Sequence, residues 1–368
     1  MGCAAQLSLA RPLALAIRTG WAGLLPSLVC QRPALWCSVV FTILLLIGSA
    51  AVIYFACEGF VNGVEWLGHR LSISQTATGT ILAAFGTALP ESVVTLVATA
   101  FGKTDAQREL GVGAALGGPL ALATIAYGVV GLALLANRKR LKRSVNPIVQ
   151  VDGRRLSRDQ LWFLAVFVIK IALGLVLFRY KPLLGFVFLA VYGFYVWSEL
   201  RESSDSHEGE REPLKIRPRH SDPPLMWALI QVVIALVVIF VASRTFVAQL
   251  DDVGPWLGIS PQLTALLLSP IATELPETMN ALIWVRQGKE RLALANISGA
   301  MMIQATVPTA FGLFFTPWLL GPELIIAGVV TMVAVTVLFA MFRKGSVRGR
   351  QLAGVALLYG LFAAMIAV

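Results

Sequence analysis

The chain has 368 residues, of which 57% are hydrophobic and only 14% charged, and its mean hydropathy is +0.77. These values are far from those of an ordinary soluble domain. The formal net charge is +10, but the basic residues lie between hydrophobic segments and form no separate basic module, so the composition argues against nucleic-acid binding. It predicts an all-α polytopic membrane protein whose surroundings are the lipid bilayer.

Ten segments are apolar over a length that suits a membrane-spanning helix, which needs about 20 such residues. The predicted spans of the first half are 39–57, 73–101, 110–136, 161–178 and 183–198, and those of the second half are 225–243, 260–285, 292–316, 324–342 and 352–368. Residues 1–38 precede them as an N-terminal extension with three arginines and no acidic residue. Such an extension is typical of a targeting segment or of a start codon placed too early.

Basic residues are distributed unevenly over the predicted loops. The loops near Arg70 and at 137–160, 199–224, 286–291 and 343–350 hold 21 Lys and Arg, whereas the opposite loops hold four, which are Lys103, Arg108, Arg179 and Lys181. The positive-inside rule then predicts an inner-membrane protein whose two termini are outside and whose central linker is cytosolic.

A polar stretch rich in Ser, Pro and charge, 200–224, separates two sets of five predicted spans, 39–199 and 225–368. It is predicted to be a flexible cytosolic linker. The two sets share a motif, because G-T-A-L-P-E at 86–91 matches A-T-E-L-P-E at 272–277 with an offset of 186 residues. A repeat of five spans must cross the bilayer in the opposite sense the second time, which predicts two inverted five-helix repeats, the architecture of many secondary transporters.

Each L-P-E motif lies inside an apolar span, where a proline removes a backbone hydrogen bond and is expected to break the helix near the midplane. Glu91 and Glu277 are then expected to face a polar cavity and to bind one divalent cation together. Calcium takes 6 to 8 oxygen ligands, and Thr87, Thr273 and Glu274 lie beside the two glutamates. The sequence therefore predicts one calcium site that residues of both repeats form together.

Other polar residues within the spans have less specific interpretations. Glu58 lacks a repeat partner and is predicted to be a paired or protonated packing residue. Lys170 and Arg244 are predicted to reach the membrane interface or to pair locally. Asn280, one turn after Glu277, is equally compatible with support of the site and with helix packing.

The motifs resemble the membrane region of bacterial-type sodium/calcium exchangers, the core of the calcium/cation antiporter superfamily. The second half carries the fuller likeness, in S-P-I-A-T-E-L-P-E-T at 269–278 and A-L-A-N-I-S-G-A-M at 293–301, and the first half carries G-T-I-L-A-A-F-G-T-A-L-P-E-S at 79–92. The resemblance implies a secondary active antiporter that exchanges Ca²⁺ or a similar divalent cation for Na⁺ or H⁺ by alternating access. It implies no cofactor beyond the transported ions.

The family's paired glutamates correspond to Glu91 and Glu277, and its preceding hydroxyl positions correspond to Thr87 and Thr273. Its later Gly-Ser-Asn motif is kept only in part: Gly117-Gly118-Pro119 leads to the apolar Leu122, and Gly299-Ala300-Met301 leads to Gln304, which the resemblance implies as a further cation-binding residue. The lost hydroxyl and polar groups are ones that the family uses for sodium, while a carboxylate, Glu274, occupies a hydroxyl position. Coupling to sodium and coupling to protons both stay open at this point.

Three alternatives compete with an exchanger, namely an antiporter for another cation, a cation channel and an intramembrane enzyme. The enzyme is disfavoured because His69, His207 and His220 lie at span ends or in the linker, and neither H-E-x-x-H nor G-x-S-x-G occurs. A purely structural membrane scaffold would leave the two repeated glutamates unexplained.

Overall fold

The computed structural model describes residues 25–73, 77–102, 105–140, 144–201, 212–220, 222–256, 267, 270 and 274–367. The chain divides into one unit that ends at Gly48 and a second, compact unit from Ser49 to Val368. Within the first unit, residues 25–48 form the beginning of helix α1, so the described part of the predicted extension is helical.

Helices account for nearly all of the described residues. The first half contains α1 (Leu25–Arg70), a π-helical turn (Thr78–Ala83), α2 (Ala84–Phe101), α3 (Asp105–Ala121), a second π-helical turn (Leu122–Ala126), α4 (Tyr127–Ala136), strand β1 (Ile148–Gln150), α5 (Gly153–Gly174), a 3₁₀ turn (Lys181–Leu183) and α6 (Leu184–Arg201). The second half contains α7 (Leu225–Trp256), α8 (Leu275–Arg286), α9 (Glu290–Phe315), α10 (Pro322–Phe342), strand β2 (Ser346–Arg348), α11 (Gly349–Val355) and α12 (Leu357–Ala367).

Seven helical segments of the described chain are long and apolar enough to cross a membrane. They are Val39–Arg70, Gly111–Ala136, Lys181–Arg201, Leu225–Phe246, Glu290–Phe315, Pro322–Phe342 and Gly349–Ile366. Several of them turn large apolar side chains outward, including Phe55, Phe186 and Val241. Exposed apolar faces of this kind suit contact with lipid, so the chain is an integral membrane protein.

The expected break at Pro90 was wrong. Helix α2 runs from Ala84 to Phe101 without interruption, and the irregular backbone on its N-terminal side is the π-helical turn Thr78–Ala83, which ends seven residues before Pro90. A proline disturbs the turn on its N-terminal side, where it removes a hydrogen bond and its ring crowds a carbonyl. At residue 90 this affects the carbonyl of Gly86 inside α2, and the helix nevertheless continues to Phe101.

Several of the basic loops lie together at one end of the molecule. Strand β1 pairs antiparallel with β2, with Val149 opposite Val347, and this pairing joins the loop after α4 to the loop after α10. Residues 144–150 also line a cavity of about 600 Å³ together with residues 288–292. The loops at 137–160, 286–291 and 343–350 therefore share one end, as an alternating topology requires.

The opposite end of the molecule is held by Lys181. Its ammonium donates to the carbonyl oxygens of Val176 at 2.7 Å and of Pro317 and Trp318 at 2.9 Å. The loop after α5 thereby contacts the loop after α9, and the two halves meet at this end also.

The linker is not free over its described length. The carbonyl of Glu212 accepts hydrogen bonds from Asn62 and Trp66, and Leu214 is fully buried beside Trp66. Lys215 forms an ion pair with Glu58 at 3.1 Å. Residues 212–215 of the predicted linker therefore contact α1 through hydrogen bonds, a buried leucine and an ion pair.

Candidate cation site

Helix α8 begins at the second L-P-E motif. Glu274 is its N-cap residue and Pro276 lies in the first turn, where a proline's fixed φ suits a helix and its missing N–H costs no hydrogen bond. The interruption predicted at Pro276 agrees with this helix start. The motif therefore places Glu274 and Glu277 at the very beginning of a helix.

Both carboxylates are inside the protein. Glu274 is 2% exposed and Glu277 is 1% exposed. Side chains three residues apart lie on nearly the same helix face, so the two acidic groups point in similar directions. The N–H groups of the first helical turn favour negative charge there, which helps a carboxylate to persist at Glu277. Two buried carboxylates still need cations or hydrogen-bond donors close by.

Gln304 supplies one of these donors. Its Nε2 donates to Oε1 of Glu274 at 2.7 Å, and its side chain is 1% exposed. Glu274 does not cap the N–H groups of its own helix, although it occupies the N-cap position. The structure thus joins two residues predicted for the site, Glu274 on α8 and Gln304 on α9.

Two asparagines extend the polar surroundings. Asn296 on α9 donates from Nδ2 to the backbone carbonyl of Glu277 at 3.5 Å. Asn280 is fully buried, and neither atom of its amide group has a hydrogen-bond partner among the described residues. Buried amides are normally satisfied, so an orphaned amide one turn from Glu277 favours a role in the site over simple packing.

Asn296 lies in the segment A-L-A-N-I-S-G-A-M, and the sequence alone predicted no role for it. Its signal was an amide side chain in a largely apolar segment of a predicted span, three positions before Gly299.

The first repeat contributes Thr87, which is buried on α2. Its hydroxyl donates to the carbonyl of Ala83 at 3.0 Å, and a hydroxyl that donates once keeps its oxygen as an acceptor or ligand. Residue 91 lies one turn further along α2, on the same face by helical spacing, but the side chain of Glu91 lies outside the described part of the structure. Thr273 also lies outside the described residues.

The two halves make backbone contact beside this site. A Cβ atom added to Gly299 on α9 would lie 2.0 Å from the carbonyl oxygen of Thr80, in the π-helical turn before α2. No side chain fits at that position. The missing side chain at Gly299 therefore allows α9 to cross the first-repeat segment at close range.

Within the described side chains, no three His, Cys, Asp or Glu residues lie close enough together to form a metal centre. The described part of the site consists of two carboxylates, Glu274 and Glu277, with amide and hydroxyl neighbours. Glu91 is the third carboxylate predicted for this site.

The remaining polar residues of the spans have partners of different kinds. Glu58 is paired with Lys215, in agreement with its predicted packing role. Arg244 lies over the ring of Phe240 at 5.7 Å, which is a local contact of the predicted sort. Lys170 is fully buried and so does not reach the membrane interface. Of the two predicted alternatives only a local contact applies to Lys170, whose ammonium lies 5.2 Å from the ring of Phe167.

Comparison with known proteins gives a family match over most of the chain. Residues 41–200 and 227–368 match the family described as sodium/calcium exchanger protein. The chain belongs to the sodium/calcium exchanger family. The two matched segments correspond to the two predicted five-span sets, and the gap between them falls on the linker.

Named relatives and solved structures agree with this membership. The inner membrane protein YrbG of Escherichia coli is 28% identical over 320 residues, which are 84% of this chain and 91% of the relative. The membrane protein MJ0091 of Methanocaldococcus jannaschii is 23% identical over 80% of this chain and 88% of its own. A structure of the sodium-calcium exchanger NCX_Mj, soaked with Na⁺ and Sr²⁺, superposes with a TM-score of 0.69 at 19% identity and covers 89% of this chain and 99% of that one. This exchanger-family chain therefore has the fold of that structure.

Proposed function

We propose that the chain is a secondary active antiporter that exchanges Ca²⁺, or a similar divalent cation, for Na⁺ or H⁺. Transport occurs by alternating access between two inverted repeats of five membrane spans each, ten in all. The membership in the sodium/calcium exchanger family supports the reaction class. The pairing of the basic loops at one end supports the alternation of the spans.

The observation that carries the proposal is the pair of buried carboxylates at the start of α8. A carboxylate near the bilayer centre costs at least about 2.5 kcal/mol on insertion scales, so Glu274 and Glu277 need a compensating cation or proton. Glu277 and, from the first repeat, Glu91 provide the two charges that bind the divalent ion. Further oxygen ligands come from Thr87, Thr273, Glu274 and Gln304, a hard-oxygen set that suits Ca²⁺.

The counter-ion is a choice between Na⁺ and H⁺, and Glu274 favours a proton. Hydroxyl or amide ligands that the resemblance implies for sodium are replaced here by Gly118, Leu122 and Ala300. Glu274 instead adds a buried carboxylate three residues from Glu277. Neighbouring carboxylates repel one another, so one of them carries a proton when the divalent ion is absent, and binding of that ion expels the proton.

The test is Ca²⁺ uptake into proteoliposomes that contain the full chain. One arm imposes an outward Na⁺ gradient at equal pH, a second imposes an outward proton gradient without Na⁺, and a third imposes neither. Uptake in one of the first two arms and its absence in the third identifies an exchanger and its coupling ion. Equal Ca²⁺ flux in all three arms would instead describe a channel, and no flux in any arm would reject Ca²⁺ as the substrate.

Specificity for the divalent ion is measured in the same vesicles by competition. Sr²⁺ is expected to inhibit Ca²⁺ uptake more strongly than Mg²⁺, because Mg²⁺ requires a tight octahedral shell and gives up water reluctantly. Stronger inhibition by Mg²⁺ would point to an antiporter for another cation.

A further inference from the structure

The side chain of Lys170 lies in the interior of the protein. The residue is on α5, its side chain is fully buried, and its ammonium donates to the carbonyl of Ala115 on α3 at 2.6 Å and to the carbonyl of Gln304 on α9 at 3.3 Å. Its own carbonyl accepts from the indole N–H of Trp318 at 3.1 Å, which fixes α5 at this point. The ammonium thus sits between three helices that come from both halves of the chain.

Both carbonyl groups are made available by prolines. In an α-helix the carbonyl of one residue accepts from the N–H four residues later, and a proline has no N–H to donate. Pro119 lies four residues after Ala115 inside α3, and Pro308 lies four residues after Gln304 inside α9. Two helices with interior prolines therefore present main-chain oxygens to the same point.

A position that two main-chain carbonyl oxygens face is chemically suited to a cation that has lost its hydration water. Main-chain carbonyl oxygens are the groups with which membrane proteins replace the hydration shell of monovalent ions. The rings of Phe167 and Trp318 lie 5.2 Å and 5.9 Å from the ammonium and add the negative faces of aromatic rings. The surroundings of Lys170 favour positive charge whether it comes from a side chain or from a free ion.

Gln304 links this point to the candidate cation site. Its backbone carbonyl accepts from Lys170, while its side-chain amide donates to Glu274. The proposed site of Glu91, Glu274 and Glu277 carries three negative charges when it is fully ionised, and the ammonium of Lys170 leaves a net charge of minus two. A net charge of minus two at the site is neutralised by one divalent cation.

We propose that the ammonium of Lys170 is a built-in cation that occupies a carbonyl site between α3, α5 and α9 in place of a mobile monovalent ion. It offsets the charge that Glu274 adds.

The consequence for ion coupling rests on the proposed antiport. A cation tethered to α5 cannot cross the membrane. The protein therefore exchanges one mobile ion fewer than it would if this carbonyl site bound a free monovalent ion.

The direct test counts monovalent cations on the purified full chain. Saturation binding of radioactive Na⁺ is measured at fixed pH, without divalent ions, for wild type, Lys170→Met and Lys170→Arg. Methionine ends where the Cε atom of lysine lies, so it keeps the packing against Phe167 and Trp318 but opens the position between the two carbonyls. We expect Lys170→Met to bind one more Na⁺ per chain than wild type, and Lys170→Arg, which keeps the charge, to bind the same number as wild type.

A folded Lys170→Met protein that binds no additional Na⁺ overturns the proposal. If this variant does not fold, Lys170→Ala is studied by thermal melting with methylammonium, which can donate hydrogen bonds, and with tetramethylammonium, which cannot. Stabilisation by methylammonium alone supports the site, and equal effects of the two cations reject it. Both readouts are independent of Ca²⁺ transport, so an additional bound cation in a protein that fails to exchange Ca²⁺ would remove the proposed antiport but keep this site.

Discussion

At the scale of single residues, the site depends on where charge is buried. Glu277 is held at the first turn of α8 with its backbone carbonyl bonded to Asn296, and Glu274 precedes it with its carboxylate bonded to Gln304. These contacts orient the beginning of α8. The two carboxylates are nevertheless expected to have different functions. We expect Glu277 to bind the divalent ion and Glu274 to adjust the charge of the site.

Replacement of Glu277 by Gln keeps the shape of the side chain and removes its charge. The divalent ion is then under-neutralised in a low-dielectric interior, and we expect Ca²⁺ uptake to fall by at least about tenfold, the effect of roughly 1.4 kcal/mol. Glu91→Gln is expected to act in the same way. The matched control is Glu323→Gln at the exposed start of α10, which should transport like wild type. Wild-type uptake by a correctly inserted Glu277→Gln protein would disprove the shared site.

Replacement of Glu274 by Ser restores the hydroxyl that the family resemblance implies at this position. With one carboxylate fewer, no proton needs to be expelled when the divalent ion binds, so we expect Ca²⁺ uptake to depend less on pH than in wild type. Uptake is measured from about pH 6 to pH 8.5 at constant ionic strength. Identical profiles for two active proteins would make Glu274 a structural residue and favour sodium as the counter-ion.

At the scale of secondary-structure elements, α9 is the helix around which the site is built. It contacts α2, α5, α6 and α8, and it carries Asn296, Gly299 and Gln304 on its buried surface. Its approach to the π-helical turn Thr78–Ala83 depends on the missing side chain at Gly299. A glycine is usually unfavourable inside a helix, so its presence here reflects the close crossing.

Gly299→Ala tests this crossing. The added methyl group would lie 2.0 Å from a backbone oxygen that cannot rotate away, so α9 must shift. Overpacking of this kind costs about 1–3 kcal/mol, and we expect a lower melting temperature in detergent together with weaker Ca²⁺ uptake. The control is Gly193→Ala on α6, where a Cβ meets nothing within 4 Å and alanine should stabilise the helix by up to about 1 kcal/mol. Equal melting temperatures for the two variants would contradict the close crossing.

At the scale of the whole molecule, the contacts between loops define two ends. The β1–β2 pair and the cavity beside it collect basic loops at one end, and Lys181 joins the loops of the other. We propose that the basic end is cytosolic and that both termini are outside, because basic loops remain on the cytosolic side of membranes.

Single cysteines introduced into a cysteine-free background test this topology. Ser144→Cys and Gln287→Cys are both exposed positions at the basic end, and Leu319→Cys is exposed at the other. A membrane-impermeant thiol reagent added to intact cells should label only Leu319→Cys, and all three should be labelled after permeabilisation. Labelling of 144 and 287 from opposite sides would refute the inverted arrangement of the repeats.

The sequence by itself determined the membrane class, the family resemblance and the repeated acidic motif. These depend on local properties, namely the length of apolar runs, the spacing of Leu-Pro-Glu and the placement of basic residues. It also predicted Glu274 and Gln304 for the site, and the structure brings these two into contact. The start of α8 at the second motif was likewise readable, because a proline early in a helix is a local signal.

Only the tertiary structure decided which distant groups meet. The same local signal, a proline, lies in the first turn of a helix at residue 276 but inside a continuous helix at residue 90. The burial of Lys170 against carbonyls of Ala115 and Gln304 depends on three helices that converge from separate parts of the chain. Hydrophobic pattern and spacing indicate which face of a helix is apolar but not which other helix packs against that face. The partners of a buried charge are therefore known only from the packing of the helices.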